Sequence, residues 1–353
     1  MKQTHEKRTL VDRVIKWPQA GIVLALIILY LILAFAPTPA KNTFFLSGNI
    51  INVVRQSAIM IVIGIPITFT LAAGLLDLSI GSLACLGAVV TCAFITGHSS
   101  SQMEICPQVP LGVAILIGMA VSAFFGWLNG WIITALNLPP FIVTLGVQEI
   151  AKGAVLSFTR GFPVSNLPTY VVDVLGRGTL FSVPYTVYLM AVLLAVFWII
   201  LSKTRFGRHV YAIGGNVECA RLSGINVKRM KMIIYVLNGC MACVAGLMVS
   251  FRLGSAQTDI GTTYGMDAIT ACCLGGTAMG GGKGYMFGTI LGVIFLSSLS
   301  TGFNLMNVNA YYQHAAASFW TAFVGSSIMP AATASATITT PTKNFIFISR
   351  PCE

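Results

Sequence analysis

The stretch MIIYVLNGCMACVAGLMVSF, residues 232–251, has twenty consecutive residues without a charged side chain. A helix of that length spans about 30 Å, which is the thickness of the hydrocarbon layer of a membrane. Backbone groups in lipid must find their hydrogen bonds within the protein, and a helix provides them within its own segment. The stretch therefore predicts a membrane-spanning α-helix.

Composition extends this prediction to the whole chain. Of the 353 residues, 56% are apolar and only 9% are charged, whereas a soluble domain has about 25% charged residues. A water-soluble globule is therefore excluded, and we predict an all-α polytopic membrane protein with about ten transmembrane helices. The ten apolar segments are 20–36, 53–74, 79–97, 111–136, 141–158, 185–202, 232–251, 265–280, 285–303 and 312–332.

Basic residues predict the orientation of these segments. Five of the 21 Lys and Arg residues lie in the first 16 residues, and seven lie between the sixth and seventh segments. An even number of spans separates the two clusters, so both fit the cytoplasmic side, where Lys and Arg are enriched. We therefore predict a cytoplasmic N-terminus. The net charge of +11 then reports orientation, and no nucleic-acid partner is needed to explain it.

The predicted spans divide the chain into three parts. Residues 1–19 form a cytoplasmic N-terminal segment, residues 20–332 form the transmembrane domain, and residues 333–353 form an atypical C-terminal tail. Ala, Thr and Ser become frequent from residue 315 onwards, so a tenth span is marginal. A faint similarity between the fourth and ninth segments, which lie five spans apart, favours an inverted repeat.

Glycines spaced four residues apart predict where helices pack closely. Two such steps are Gly126 with Gly130 and Gly288 with Gly292. Lipid offers no hydrophobic driving force between helices, so small residues that let backbones approach are favoured at their contacts.

The chain has few groups that carry catalysis, which requires convergent acids, bases, nucleophiles or metal ligands. Its four histidines are scattered, and neither HExxH nor GxSxG occurs. The glycine-rich MGGGKGYMFG, residues 279–288, departs from a phosphate-binding loop because Thr277 replaces its first glycine and Gly284 follows Lys283. We therefore expect a subunit that is not an enzyme and binds neither a metal nor a cofactor.

The stretch AGLLDLSIGS, residues 73–82, places an ionisable group between two predicted spans. A carboxylate near the membrane is costly, so Asp77 is a candidate for the translocation path. The alternative is a helix cap, in which Asp77 or Ser79 accepts hydrogen bonds from the free N–H groups that open the third span. Both interpretations stay open on the residues alone.

The loop KTRFGRHVYAIGGNVECARLSGINVKRMK, residues 203–231, is the longest polar segment predicted on the cytoplasmic side. Within it, NVECARLSGI predicts a short helix that ends at Gly224, because glycine tolerates the left-handed conformation of a helix end. A compact apolar ridge between two charges suits the groove of a partner, and a solvated, membrane-anchoring loop is the alternative. The ridge and its flanks are Glu218, Ala220, Arg221, Leu222, Gly224 and Ile225.

Four ordered motifs resemble the monosaccharide permeases of bacterial ABC importers, the family of ribose, galactose, xylose and arabinose permeases. They span most of residues 50–312, and together they are far more specific than any one of them. The motifs are AGLLDLSIGS (73–82), GWLNGWIITALNLPPFIVTLG (126–146), FGRHVYAIGGNVECARLSGINV (206–227) and LGGTAMGGGKGYMFGTILG (274–292).

The resemblance implies a permease of the bacterial plasma (inner) membrane that translocates a monosaccharide. Its implied partners, besides membrane lipid, are a cytoplasmic ATP-binding subunit that consumes the ATP, an extracytoplasmic sugar-binding protein and a second permease subunit in a homodimer or heterodimer. The ATPase-coupling contact then falls on Gly214, Gly215, Asn216, Glu218, Ala220, Arg221, Leu222, Gly224 and Ile225. The candidates for the translocation path are Asp77, Ser79, Ser82, Asn129, Pro140, Phe141 and Thr144.

An ion-coupled secondary transporter of a small polar solute is the alternative function. Such a transporter needs coupling carboxylates within its spans. The acidic residues near spans are few, namely Asp77, Glu149 and Asp267, and they do not form pairs in the sequence. This scarcity favours the ATP-driven permease.

Overall fold

A computed structural model describes residues 19–35, 44–98 and 106–306. Residues 160–184 contain a π-helical turn, Val171–Gly176, and an antiparallel pair of two-residue strands, β1 (Thr179–Leu180) and β2 (Val183–Pro184). The α-helices are α1 (Ala20–Phe35), α2 (Ser47–Ala72), α3 (Ile80–Thr96), α4 (Leu111–Leu136), α5 (Pro140–Thr159), α6 (Tyr185–Lys203), α7 (Arg205–Gly215), α8 (Val217–Leu222), α9 (Val227–Leu253), α10 (Tyr264–Leu274) and α11 (Met286–Leu305).

Six helices of the described ranges, α2, α4, α5, α6, α9 and α11, are long and apolar enough to cross a membrane. The apolar helices α1 and α3 are shorter, with 16 and 17 residues. An all-α polytopic membrane protein is therefore confirmed. The number of ten spans stays a prediction, because the tenth segment, 312–332, lies outside the described residues. Residues 1–18 and the predicted tail, 333–353, also lie outside them.

Burial separates central helices from peripheral ones. In α2 the side chains from Ala58 to Ala72 are almost all buried, and most residues of α3 are buried, whereas α6 buries only Thr186 and Leu201. The apolar side chains that α6 exposes, such as Val192 and Ile199, suit lipid or another subunit. The core of the bundle thus lies around α2, α3 and α9.

Close helix contacts occur at the glycines that the sequence singles out. A β-carbon on Gly126 of α4 would overlap the backbone of Tyr235 in α9, and one on Gly292 of α11 would overlap the backbone of Ala271 in α10. The prediction that these glycines serve helix packing is confirmed.

The connecting segments collect at two opposite ends of the bundle. At one end, the Gly282 N–H donates to the Ala72 carbonyl oxygen at 2.9 Å, which joins the α10–α11 turn to the end of α2. At the other end, Val164 and Ala256 exchange backbone hydrogen bonds of 3.0 and 2.9 Å, which join the α5–α6 loop to the α9–α10 loop. This distribution agrees with the prediction that successive loops lie alternately on the two sides of the membrane. The assignment of the first end to the cytoplasm rests on the basic residues.

Two helices begin inside the bundle and not at its ends. A β-carbon on Gly81, at the start of α3, would overlap the Gly261 carbonyl oxygen, and one on Gly265, at the start of α10, would lie 2.9 Å from the Leu78 oxygen. With 11 residues, α10 is about 16 Å long, roughly half of the hydrocarbon thickness. The eighth predicted segment, 265–280, therefore contains a half-helix. The irregular residues 254–263 precede this half-helix in the chain. Non-helical backbone at such depth is tolerated because protein surrounds it.

Candidate coupling surface and translocation core

The predicted coupling loop folds into two short helices, and polar side chains define where each helix begins. The Thr204 hydroxyl accepts from the Gly207 N–H at 3.4 Å at the start of α7, and the Asn216 side chain accepts from the Cys219 N–H at 3.0 Å at the start of α8. Such side chains satisfy N–H groups that a helix start leaves free. The loop is therefore an ordered helix–turn–helix.

Helix α8 ends as the sequence predicts. Gly224 has φ +82°, a left-handed conformation that disfavours any side chain. The Ile225 N–H then reaches back to the Ala220 carbonyl oxygen at 3.1 Å, and the Gly224 N–H donates to the Arg221 oxygen at 3.0 Å. These bonds satisfy carbonyl groups at the helix end and turn the chain sharply towards α9.

The exposed face of α8 carries an apolar side chain next to an ion pair. Leu222 is 75% exposed, and Arg221 lies 3.0 Å from the Glu218 carboxylate, with both side chains about 70% exposed. Val217, which the sequence interpretation did not include, adds an apolar surface that is 43% exposed. This face is accessible to a partner.

The nine predicted coupling residues do not all lie on that face. Gly215, Asn216 and Gly224 are exposed with the residues just described, whereas Ala220 is buried and Ile225 is half-buried against the bundle. The predicted apolar ridge comprises Leu222 and Ile225 with the small residues Ala220 and Gly224, and of these Ala220 is turned inward because the short helix α8 packs on the bundle. Of the two large apolar side chains, Leu222 is the one that points strongly outward.

Gly214 lies behind this face, in a junction of three glycine-containing segments. A β-carbon on Gly214 would overlap the Ala72 carbonyl oxygen and lie 2.5 Å from the Gly282 nitrogen. One on Gly281 would lie 2.6 Å from the Gly214 oxygen and 2.8 Å from the Gly74 nitrogen. We call Gly74, Gly214, Gly281 and Gly282 the glycine junction. It places the backbone of the coupling loop directly against the end of α2 and the α10–α11 turn.

A tyrosine adds a second link between the same elements. The Tyr211 hydroxyl of α7 donates to the Gly284 carbonyl oxygen at 2.8 Å. Burial and, to a smaller extent, the neighbouring Tyr285 raise the pKa of the Tyr211 phenol, so it remains a neutral donor at physiological pH. The coupling loop is thus held to the bundle by backbone contacts and a side-chain hydrogen bond.

Three of the predicted path residues come together in a fully buried polar network. One Asp77 carboxylate oxygen accepts from the Ser79 N–H at 2.9 Å and from the Ser79 hydroxyl at 2.6 Å. The other accepts from the Asn238 amide at 2.6 Å. Asn129 of α4 donates to the Ser79 hydroxyl oxygen at 2.8 Å, and the Asn238 side chain is hydrogen-bonded to Thr70 of α2. We call these five residues the Asp77 network.

The network decides between the two interpretations of Asp77 only in part. Its carboxylate accepts the N–H of Ser79, the residue just before α3, so it stabilises that helix start as a cap would. The same carboxylate joins α3 to α9 through Asn238, which a local cap does not do. Asp77, Ser79 and Asn129 are each 0% exposed, so in this conformation they do not face a pathway.

The other path candidates lie apart from this network. Thr144 is buried and donates back to the Pro140 carbonyl oxygen of its own helix at 2.9 Å. Pro140 occupies the first position of α5, where its missing N–H costs nothing, and Phe141 beside it is 49% exposed. Ser82 is half-buried in the first turn of α3. The predicted set is therefore not one site.

Sequence reasoning missed Thr70 and Asn238, which complete the network. Asn238 interrupts the apolar run with which the sequence analysis opens, and an amide in the middle of a span was the available signal. Its partner Asp77 lies 161 residues away, which no local pattern reveals.

The arrangement offers no grouped metal ligands. Within the ranges 19–35, 44–98 and 106–306, no three His, Cys, Asp or Glu side chains come together as they would to hold a metal ion. What the described side chains provide is an exposed face with apolar and charged groups, the close-packed glycine junction behind it and a buried network that joins α2, α3, α4 and α9.

Comparison with known proteins identifies relatives with transport functions. The family described as branched-chain amino acid transport system / permease component matches residues 49–338. The chain is 37% identical over 313 residues to the ribose import permease protein RbsC of Bacillus subtilis, covering 88% of this chain and 92% of that protein. It is 33% identical over 306 residues to the galactose/methyl galactoside import permease protein MglC of Salmonella typhimurium, covering 84% and 89%.

A third relative is the xylose transport system permease protein XylH of Haemophilus influenzae, 30% identical over 353 aligned positions that cover 83% of this chain and 92% of that protein. No solved structure matches the chain. The family match runs beyond residue 312 and includes the tenth predicted segment. As its four motifs predict, the chain belongs to the family of permease components of ABC importers to which these sugar permeases belong.

Proposed function

We propose that this chain is the membrane-spanning permease subunit of an ABC importer and moves a monosaccharide across the bacterial inner membrane. The observation that carries the proposal is the exposed face of α8, held by the glycine junction against the end of the transmembrane bundle. The ribose, galactose and xylose permeases among the relatives support a monosaccharide as the substrate. A sugar-binding protein outside the membrane delivers it.

The coupling loop receives the movement of a partner ATPase. In this proposal a cytoplasmic ATP-binding subunit seats Leu222 and Val217 in an apolar groove and pairs with Glu218 and Arg221. The permease hydrolyses no ATP and binds no cofactor itself. Because the backbone of Gly214 touches the end of α2 and the α10–α11 turn, a shift of α7 and α8 displaces both elements at once. Each partner shifts the equilibrium of the bundle by binding one of its conformations more tightly.

The exposed face of α5 supports a second permease subunit as a partner. Glu149 and Lys152 lie near the middle of this helix and both are exposed, with Gly146 and Gly153 beside them. A charged side chain in the middle of a span is costly in lipid, so such residues face another protein or a water-filled cavity. We place the second subunit and the translocation path between the two copies on this face, which begins at the candidate Phe141.

Two helices that begin inside the bundle, α3 and α10, support the proposed inverted repeat. They belong to the third and eighth predicted segments, which lie five spans apart, as do the fourth and ninth. Irregular backbone precedes both helices, and an aspartate followed by an Ile-Gly step lies at or just before each helix start. These are Asp77 with Ile80 and Gly81, and Asp259 with Ile260 and Gly261.

The ion-coupled alternative finds less support. The one fully buried carboxylate of the described residues, Asp77, is occupied by donors of Ser79 and Asn238. A coupling site needs a carboxylate that an ion can reach from each side of the membrane. The relatives named above also favour the ATP-driven permease.

Reconstitution tests the proposal. The permease is placed in proteoliposomes alone or with the ATPase subunit and the sugar-binding protein of its own genome, and uptake of labelled ribose, galactose and xylose is measured. We expect uptake of at least one sugar only when both partners and ATP are present. Uptake by the permease alone, driven by a proton or sodium gradient, would contradict the proposal and establish the ion-coupled alternative.

A further inference from the structure

An exposed ridge of stacked aromatic rings runs along α4. The ring centroids of Phe124 and Trp127 lie 5.9 Å apart and those of Trp127 and Trp131 lie 6.2 Å apart, with interplanar angles of 29° and 20°. All three side chains are exposed. The ridge belongs neither to the face of α8 nor to the face of α5, so the partners proposed above do not account for it.

The packing of α4 on α9 sets the position of this ridge. Gly126 lies against Tyr235, and a β-carbon on Gly130 would lie 2.8 Å from the Met232 Cα. Residue numbers in these contacts fall along α9 as they rise along α4, so the two helices are antiparallel. Trp131, which follows Gly130, therefore lies at the level of Met232.

One side of the contact between these helices brings the ridge and a basic residue together. A step of one residue turns a helix by about 100°, and on antiparallel helices equal steps away from the contact lead to the same side. Ile233 follows Met232 as Trp131 follows Gly130, and Ile233 is exposed. Arg229 lies one turn before Ile233 on the same face and is also exposed. The α4–α9 groove, as we call this surface, consists of Phe124, Trp127, Trp131, Arg229 and Ile233.

The groove faces away from the core of the subunit. Ser122 of α4 donates to the Leu83 carbonyl oxygen of α3 at 3.1 Å. Ser122 and Trp131 are nine residues apart, which is about two and a half turns, so they lie on opposite sides of α4. With α3 on the far side of α4, the groove opens to the membrane around the subunit.

The groove crosses the boundary between the hydrocarbon layer and the headgroups. Met232 begins the uncharged stretch 232–251, and Arg229 lies three residues before it. Trp131, at the level of Met232, is therefore at the depth where tryptophan is enriched in membrane proteins. Trp127 lies one turn deeper, among the acyl chains, and Arg229 lies among the headgroups.

The free charges at the headgroup level have one sign. Lys228 and Arg229 are exposed, and neither side chain is paired with another residue of the described ranges. The exposed carboxylate that the described residues place at this end, Glu218, is paired with Arg221. A phosphate suits an arginine, whose planar fork matches its oxygens. A zwitterionic headgroup would also bring an ammonium group towards two cations, which lowers its affinity relative to an anionic headgroup.

We propose that the α4–α9 groove binds an anionic phospholipid of the cytoplasmic leaflet. Its phosphate contacts Arg229 and Lys228, and an acyl chain lies along Ile233 and the aromatic ridge. A second copy of this chain carries the same excess of cations at this end, and an ATPase in the cytoplasm cannot reach rings at the depth of Trp127. The site is independent of the solute that the permease carries.

Tryptophan fluorescence tests the site directly, because lipids with brominated acyl chains quench an indole that they touch. The full chain is given the substitutions Trp17→Phe, Trp198→Phe and Trp320→Phe, so that Trp127 and Trp131 are its only tryptophans. It is reconstituted in vesicles of brominated phosphatidylglycerol, of brominated phosphatidylcholine and of their mixtures. The quenching gives the ratio of the two binding constants at the groove.

The measurement is repeated on three variants whose unfolding midpoints are also determined. Arg229→Gln and Lys228→Gln each remove a charge from the groove. Lys203→Gln is the matched control, because Lys203 is an exposed lysine at the end of α6, on the same side of the membrane. The two groove variants test the site independently if one of them folds poorly.

We expect phosphatidylglycerol to bind the groove about tenfold more tightly than phosphatidylcholine, since a basic residue near the membrane surface contributes up to about fivefold. Arg229→Gln and Lys228→Gln should each lower this preference severalfold, and Lys203→Gln should leave it unchanged. Equal quenching by the two lipids, or an equal effect of all three variants, would show that the groove has no anionic-lipid site. Quenching by neither lipid would show that another protein covers the ridge, and the proposed site would be wrong.

Discussion

The face of α8 and the Asp77 network are both polar regions of an apolar protein, but they relate to the rest of the chain in opposite ways. Leu222 is 75% exposed and contributes little to the packing of its own subunit, whereas Asp77 is 0% exposed and receives three hydrogen bonds. A surface that is exposed for a partner makes few contacts within its own subunit. A buried network has no contact to offer a partner until the bundle moves.

This contrast separates two ways in which a substitution can stop transport. Changes on α8 should leave the permease folded and uncouple it from the ATPase. Changes in the Asp77 network should weaken the contacts of α2, α3, α4 and α9 and destabilise the subunit itself. Measurements of folding and of coupling on the same variants therefore test the comparison directly.

The largest expected effect on stability comes from Asp77→Ala. The substitution leaves the Ser79 N–H and the Asn238 amide buried without the acceptor they now share, and each such group costs about 1–3 kcal/mol. We expect a total loss of about 3 kcal/mol or more, seen as a lower midpoint of thermal unfolding of the permease purified in detergent.

Asp259→Ala provides a matched control for this variant. Asp259 also precedes an Ile-Gly step before a half-helix, but it is exposed, so its loss should shift the unfolding midpoint little. Equal unfolding midpoints for the two variants would show that the Asp77 network does not stabilise the bundle. The contrast between a stabilising network and a partner-binding α8 would then be wrong.

The largest expected effect on coupling comes from Leu222→Asp. An exposed leucine that becomes buried in a partner contributes about 1.5–3 kcal/mol, and a carboxylate in its place adds a desolvation penalty. We expect at least a tenfold loss of ATP-driven uptake and of ATPase co-purification, with an unchanged unfolding midpoint of the isolated permease.

Phe181→Asp is the control for a charge introduced on an exposed apolar side chain. Phe181 is 89% exposed and lies in the turn between β1 and β2, on the side opposite the coupling loop. It should leave co-purification of the ATPase intact. If Leu222→Asp retained the wild-type rate of uptake, the proposal that α8 is the docking face for the ATPase would be wrong.

The sequence predicted features that depend on near neighbours. The sequence predicts the left-handed conformation of Gly224 at the end of α8, and the chain adopts it because only glycine takes φ +82° without strain. The burial of Ala220 was missed, since it depends on how α8 rests on the bundle and not on the pattern within α8.

Contacts in the core between residues far apart in the chain cannot be predicted from the hydropathy pattern. The apolar run 265–280 predicts a span, yet the helix ends at Leu274 because the backbone turns at Gly275 and Gly276 towards the glycine junction. The start of α3 and the segment that leads into α10 meet through Gly81 and Gly261, which are 180 residues apart. Composition predicts a membrane bundle, but only the packing of distant backbone segments reveals where its spans are broken.

The smallest expected effect concerns the Glu218–Arg221 pair and sharpens the comparison within α8. Both side chains are about 70% exposed, and exposed ion pairs contribute at most about 1 kcal/mol. Arg221→Ala should therefore leave the unfolding midpoint unchanged and reduce uptake less than fivefold. This reduction in uptake should become smaller at higher salt concentration, because salt screens the contact of Arg221 with the ATPase. Glu218→Lys, which places two cations side by side, should reduce uptake more than Arg221→Ala while folding stays intact. If Arg221→Ala lowered the unfolding midpoint as much as Asp77→Ala does, α8 would be a structural element of the bundle, because an exposed ion pair alone contributes too little to its own subunit to produce such a shift.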